Sequence, residues 1–263
     1  MQTAMVFSPH ADDATIFCGG TLARLADEGW RVVLVRVTDD RFDSVGLTVE
    51  ETLERNALEL REAAGILGVA EVVDLGFRTD CLADTPLGSL RERAVWLLRR
   101  FRPHTVLSFD PADRFEDNQD HVRVAQAVAE AFWVSCFDKH HPEHLAEGLA
   151  PFAPAERWYF SRSGLDANHV VDITDHLERK VQAACAHGTM MRNVANQYRL
   201  QFRASGLEVP GLEAAVEGEG LPRLVHAYVT GVSGAVARKA GLPEGHFAEA
   251  YRREDPSEIA ALL

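Results

Sequence analysis

The chain has 263 residues, enough for one large hydrophobic core or two small ones. Hydrophobic residues make up 46% and charged residues 25%, the balance of an ordinary globular protein rather than a disordered one. Forty acidic against 27 basic side chains give a net charge of −13, and no Lys/Arg-rich run relieves it, which argues against a nucleic-acid partner.

Strand-like and helix-like runs alternate from the start. Thr3 to Ser8 is short, apolar and closed by Pro9, and predicts a strand. Gly19 to Trp30 predicts a helix with Leu22, Leu25 and Ala26 on one face. Arg31 to Val37, rich in valine, predicts a buried strand. Leu53, Ala57, Leu60, Ala64 and Leu67 fall at helical spacing and predict a helix over Val49 to Leu67, stopped by Gly68. A strand over Glu71 to Phe77, a helix over Leu87 to Phe101 ended by Pro103, a strand over Thr105 to Asp110 and a helix over Asp120 to Phe132 follow. Arg157 to Arg162 and His169 to Ile173 look like strands, and Asp175 to His187 like a helix with Asp175 as its N-cap. The pattern weakens from Gly188 onward, and Gly206 to Gly220, rich in Gly and Glu, reads as a loop.

Repeated strand–helix alternation predicts an α/β, Rossmann-like fold with a mostly parallel sheet and helices on both faces. With no internal repeat and no clear linker, one domain over residues 1–263 is expected, more irregular beyond about residue 188. The N-terminus lacks the basic start and apolar run of a signal peptide, and no stretch is apolar enough to cross a bilayer. Cys18, Cys81, Cys136 and Cys185 are far apart and form no Cys-x-x-Cys pair, so they read as small apolar residues of a protein in the reducing cytoplasm.

The sharpest local signal is Pro9-His10-Ala11-Asp12-Asp13, directly after the first predicted strand. In open α/β sheets the ligand crevice lies at the carboxyl ends of the strands. A His and two Asp buried there need partners, so they either hold a metal or sit exposed on a turn. A second acidic segment begins after another strand end, Asp110-Pro111-Ala112-Asp113, and runs on to Asp117-Asn118-Gln119-Asp120-His121. Strand ends of one parallel sheet point the same way, so His10, Asp13 and His121 can converge. Two His and one carboxylate, with a fourth position left to water, make a catalytic zinc set. Taken alone, Asp120-His121 reads as a helix N-terminus with an acidic cap and an incidental His. His140-His141-Pro142-Glu143-His144 resembles a ligand cluster but reads as a solvated loop that can rim a pocket.

Several separated motifs in one order resemble the PIG-L/LmbE-like zinc-dependent de-N-acetylases. They are Pro9-His10-Ala11-Asp12-Asp13, Cys18-Gly19-Gly20-Thr21-Leu22 with Glu28-Gly29, Glu59 with Leu67-Gly68-Val69, and Leu75-Gly76-Phe77 with Asp80. Asn118-Gln119-Asp120-His121, Val171-Asp172-Ile173-Thr174, Lys180, Ala186-His187 and Ala248-Glu249-Ala250-Tyr251-Arg252 complete the set. The resemblance implies His10, Asp13 and His121 as zinc ligands and Asp12 as general base. It implies Asp120 as a partner orienting a ligand histidine, and His187 as a site residue; the bland alternative for His187 is a histidine at a helix C-terminus. It also implies a substrate: an N-acetylated amino sugar or glycoconjugate, giving a free amine and acetate. Self-association into a homo-oligomer is a further expectation.

Two positions depart from the family pattern. Where relatives carry His-x-x-His, this chain has Asn118 and His121, and an Asn donates a hydrogen bond to an oxyanion but holds no positive charge. Where relatives carry an Arg three residues before the matching Glu, this chain has Asn56, with Arg55 one place earlier. Two other readings compete. Non-haem iron(II) oxygenases also use two His and one carboxylate, though on an all-β scaffold. A non-catalytic binding module of the same fold is the other, with Asn118 in its favour and Asp12 against it. No Gly-x-Gly-x-x-Gly follows the first strand, so dinucleotide binding is weakly supported.

Overall fold

The computed structural model describes residues 1–260. Its first half alternates β1 (Thr3–Ser8), α1 (Asp13–Asp27), β2 (Arg31–Thr38), α2 (Val49–Leu67), β3 (Glu71–Phe77), α3 (Leu87–Phe101), β4 (Thr105–Phe109) and α4 (Gln119–Val134). The second half adds α5 (Pro142–Ala146), β5 (Glu156–Phe160), β6 (His169–Asp172), a 3₁₀ turn at Thr174–His176, α6 (Leu177–Ala186), α7 (Gly188–Ala204), α8 (Pro210–Glu217), α9 (Leu221–Lys239) and β7 (Ala248–Glu254).

Seven strands form one sheet in the order β3-β2-β1-β4-β5-β7-β6. The first five in that row are parallel, and β7 runs antiparallel to both its neighbours. Ala4 and Val6 of β1, with Val32 and Leu34 of β2, join the core made with α1, α2 and α6. Met5, Phe7, Val33 and Val35 point the other way, to α3 and α4. Burial on both faces explains why these strands read as unbroken apolar runs rather than alternating ones. The chain winds outward from β1 through β2 and β3, then returns to β4 on the other side of β1. The gap between the ends of β1 and β4 is therefore the topological switch point.

Several local expectations are revised. The first helix starts at Asp13, six residues before Gly19, and is interrupted at Cys18, where φ is −140°. Beyond that kink the freed N–H groups of Gly20 and Thr21 donate to the Glu249 carboxylate at 3.0 and 2.8 Å. Gly20 is required by close packing, because a Cβ there would lie 2.6 Å from Ile173 Cδ1. Asp175 is no N-cap: it sits inside the 3₁₀ turn, and Asp172 Oδ1 instead accepts from the Thr174 N–H at 2.9 Å. The region beyond residue 188 holds α7, α8, α9, β7 and a last short helix at Ser257–Ala260 rather than irregular chain. The expected loop from Gly206 to Gly220 contains α8, which starts with Pro210 in its first turn, ends at left-handed Gly218, and buries Leu212, Ala215 and Val216 against Ala195.

Candidate active site

His10 and Asp13 stand where β1 gives way to α1, and His121 in the first turn of α4 after β4. The switch point thus gathers three side chains from two loops. His10 Nδ1 lies 3.1 Å from His121 Nε2 and 3.2 Å from Asp13 Oδ2, and His121 Nε2 lies 3.3 Å from the same oxygen. All three residues are buried. Around a tetrahedral ion with bonds of about 2.0–2.1 Å, ligand atoms sit roughly 3.3–3.4 Å apart. Two imidazole nitrogens and a carboxylate oxygen facing one point at this spacing match that edge length. Hydrogen bonds alone satisfy the trio poorly, because two imidazole nitrogens facing each other at 3.1 Å can hold only one proton between them while both also face the same Asp13 oxygen. The residues present therefore fit a divalent cation.

Each imidazole has a carboxylate behind it. Asp120 Oδ2 is 3.4 Å from His10 Nε2. Asp120 is itself held by the N–H groups of Asp80 at 2.7 Å and Leu82 at 3.1 Å. Asp80 turns its N–H inward by adopting a left-handed conformation, φ 58°, which Asp tolerates better than most residues. Glu116 Oε2 lies 3.1 Å from His121 Nδ1, out of line with the ring N–H, and sequence reasoning passed it over. Burial disfavours charge on the imidazoles, but Asp120 and Asp13 at His10, and Asp13 and Glu116 at His121, raise both pKa values. Burial also opposes the charge on Glu116, yet His121, the Asn118 N–H and Arg162 hold its carboxyl below the ordinary range. The Phe109 ring stacks on His121 at 4.1 Å, and Phe17 meets Phe109 at 4.8 Å, so one wall of the cluster is dry.

Asp12 precedes α1 but makes no capping hydrogen bond with its side chain, so its carboxylate is not spent on the helix. Burial, with the charge of Asp13, pushes it up to about 7, against the pull of His10 and His121. Asn118 caps α4: its Oδ1 accepts from the N–H groups of Asp120 at 2.9 Å and His121 at 3.4 Å. His187 is fully buried, with Nε2 3.0 Å from Thr15 Oγ1 in the first turn of α1. Arg55 is exposed, while Asn56 is buried and donates to the Asp40 carbonyl at 3.0 Å. Glu59 accepts from Thr189 Oγ1 at 2.7 Å and ties α2 to α7. The histidine cluster near residue 140 is part helix, and His144 is buried between Arg99 at 3.3 Å and Glu92 at 2.9 Å. Its ring nitrogens are occupied beside a guanidinium, so it is a packing element rather than a pocket rim. A cleft of about 600 Å³ opens beside the cluster, bordered by Phe17, Arg162, Tyr198, Tyr228 and Val232 among others.

A mostly parallel sheet with a buried two-His, one-carboxylate cluster at its switch point places the protein among α/β proteins with a candidate mononuclear metal site. Comparison with known proteins narrows that class. The family model described as GlcNAc-PI de-N-acetylase matches residues 5–132. A diacetylchitobiose deacetylase of Thermococcus kodakarensis is 31% identical over 193 residues, 71% of this chain and 69% of that protein. A 1D-myo-inositol 2-acetamido-2-deoxy-alpha-D-glucopyranoside deacetylase of Saccharopolyspora erythraea is 30% identical over 240 residues, 72% of this chain and 78% of the relative. The chain belongs to the PIG-L family of de-N-acetylases. In fold it is similar to the N,N'-diacetylchitobiose deacetylase of Pyrococcus horikoshii, with a TM-score of 0.78 at 22% identity over 98% of this chain and 85% of that one. The parallel sheet also removes the all-β scaffold on which the oxygenase alternative rested. Among the described residues no helix is long and apolar enough to cross a membrane.

Proposed function

We propose that this protein is a zinc-dependent hydrolase that removes the acetyl group from the nitrogen of an N-acetylated amino sugar or small glycoconjugate, acting as a single domain in the cytoplasm. The observation that carries the proposal is the triangle of His10, Asp13 and His121 with an uncapped Asp12 beside it. Relatives named as deacetylases of acetamido sugars supply the substrate class. Zinc held by the three residues would polarise the amide carbonyl and lower the pKa of water at the open position toward about 7.

The rest is done by the chain. Asp12, whose carboxylate is not spent on capping α1, takes the proton of the attacking water. It then returns that proton to the departing nitrogen, which leaves poorly unless protonated. Asn118 has its oxygen committed to the helix, so its amide nitrogen is the group that can donate to the developing oxyanion. Asp120 holds the His10 ring, and His187 seats α1 through Thr15. The cleft beside Phe17 takes the remainder of the sugar, its dry wall excluding water from the reacting centre.

Metal content and acetate release from a panel of N-acetyl sugars test this reading. His10→Ala is expected to lose both. Asp12→Asn is expected to keep the metal while turnover falls by about 10²–10⁴-fold. A His10→Ala protein with a full complement of metal overturns the ligand set, and full turnover in Asp12→Asn removes the base. A metal-loaded parent that releases no acetate from any substrate favours the binding-module reading.

A further inference from the structure

Glu116 has no counterpart in the motifs that mark the site, yet its side chain is only 4% exposed and reaches a metal-ligand candidate. It is fixed from three directions. Its Oε1 accepts the Asn118 N–H at 2.9 Å, and its Oε2 accepts from Arg162 Nε at 2.9 Å and lies 3.1 Å from His121 Nδ1. Arg162 stands just beyond β5, 46 positions further along the chain, with its own side chain 47% exposed at the cleft. The guanidinium also lies over the Phe17 ring at 5.7 Å, so its approach to Glu116 is set by packing.

The two histidines are thereby served differently. Behind His10, Asp120 rests on two backbone N–H groups, an arrangement that no single side-chain change removes. Behind His121, Glu116 depends on a side chain from another strand end. A carboxylate on the far nitrogen of a ligand imidazole fixes its tautomer and its ring orientation, and makes the ligating nitrogen more basic. Nδ1 of His121 is buried without a hydrogen bond in line, and the Glu116 carboxylate lies 3.1 Å from it.

We propose that Glu116 is the positioning residue for His121, holding its ring so that Nε2 faces the cation, and that Arg162 holds Glu116 in place for that role. The inference rests on His121 being a ligand, as proposed above. It extends the site to a loop residue and to the segment just beyond the end of β5.

The test is zinc affinity, read by competition with a chromophoric chelator on full-length apoprotein, together with the visible spectrum after cobalt(II) substitution. Melting of each apoprotein in EDTA controls for folding. Glu116→Ala is expected to weaken zinc binding by about 10–100-fold, the usual effect of removing such a partner. Glu116→Gln keeps the reach and an acceptor oxygen and should recover most of that loss. Glu116→Asp keeps the charge but falls short by one methylene, and should bind nearly as weakly as the alanine variant. Arg162→Met should fall between parent and Glu116→Ala. The order Glu, Gln, then Asp with Ala supports a directed contact. Should the alanine variant fail to fold, the ranking of Gln over Asp decides alone. Zinc binding within twofold of the parent in Glu116→Ala, or Asp equal to Glu with Gln as weak as Ala, overturns the proposal. His121→Ala separates the two readings: unchanged zinc affinity in that variant means the ligand assignment has failed.

Discussion

At the scale of single residues, burial decides what a polar group is for. His187 is fully buried with Nδ1 unpartnered, and burial pushes its pKa down to about 4 from the ordinary 6.5. The unfolded chain therefore takes up a proton at this histidine before the native state does. Its contribution to stability is whole above pH 6.5 and is lost as pH falls through the window down to about 4. The amount is about 3 kcal/mol for a shift of this size. His187→Gln, which still meets Thr15, should lose less stability than the parent between pH 7 and pH 4.5 in urea melts. It should retain its metal, because the residue meets Thr15 of α1 and is not one of the three ligand candidates. Much of the site is legible at this scale. His10, Asp12, Asp13, Asn118, Asp120 and His121 lie in two short polar runs that follow apolar strands, and polar clusters at strand ends invite a reading. Glu116 was not legible, since a lone acidic residue in an acidic loop carries no period, and only the fold brings Arg162 to it.

At the scale of elements, α1 carries the most constraint. Its first turn holds Asp13, its kink at Cys18 frees two N–H groups, and its continuation rests on Ile173 through Gly20. Gly20→Ala places a methyl 2.6–2.8 Å from three Ile173 atoms, so one of the two elements must move. Overpacking of this kind costs about 1–3 kcal/mol, a fall in Tm of roughly 2–6 °C for a chain of this size. Calorimetry checks it, and a paired Ile173→Val should recover part of the loss. At the other end of the range, Thr48 and Glu51 form a reciprocal cap on α2, and Thr48→Ala should cost about 1 kcal/mol without touching metal affinity. The start of α1 was misjudged from sequence because Thr15, Ile16 and Phe17 interrupt the helical period where the chain turns off the sheet. By contrast α8 had its signals in plain view, with Pro210 at its start and Gly218 at its end. The surrounding glycines and glutamates masked an apolar stripe of Leu212, Ala215 and Val216.

Across the whole molecule, the site is spelled out early and braced late. All three metal-ligand candidates fall within the first 121 residues, while the group that pins α1 comes from β7. Glu249 accepts from Lys180 Nζ at 2.7 Å and from the Tyr251 hydroxyl at 3.0 Å, in addition to the two N–H groups of α1. Lys180 and Glu249 are both almost wholly buried. Removing one partner strands the other charge, so Glu249→Ala should cost about 3–5 kcal/mol in denaturant melts. The double variant Glu249→Leu, Lys180→Met should lose less than the single one, since no bare charge remains. The parallel core of the sheet was legible because each of β1 to β4 is followed by a helix of readable period. The position of β7 was not, because β-pairing between residues about 80–100 positions apart leaves no mark in either segment. That position has its own consequence. β5 and β6 run in the same direction and leave between them a slot one strand wide, which β7 fills. A copy in which β7 has been cut away would offer two unpaired backbone edges. The β7 strand of a neighbouring copy is their natural occupant, so damage at β7 invites intermolecular exchange rather than simple loss of one strand.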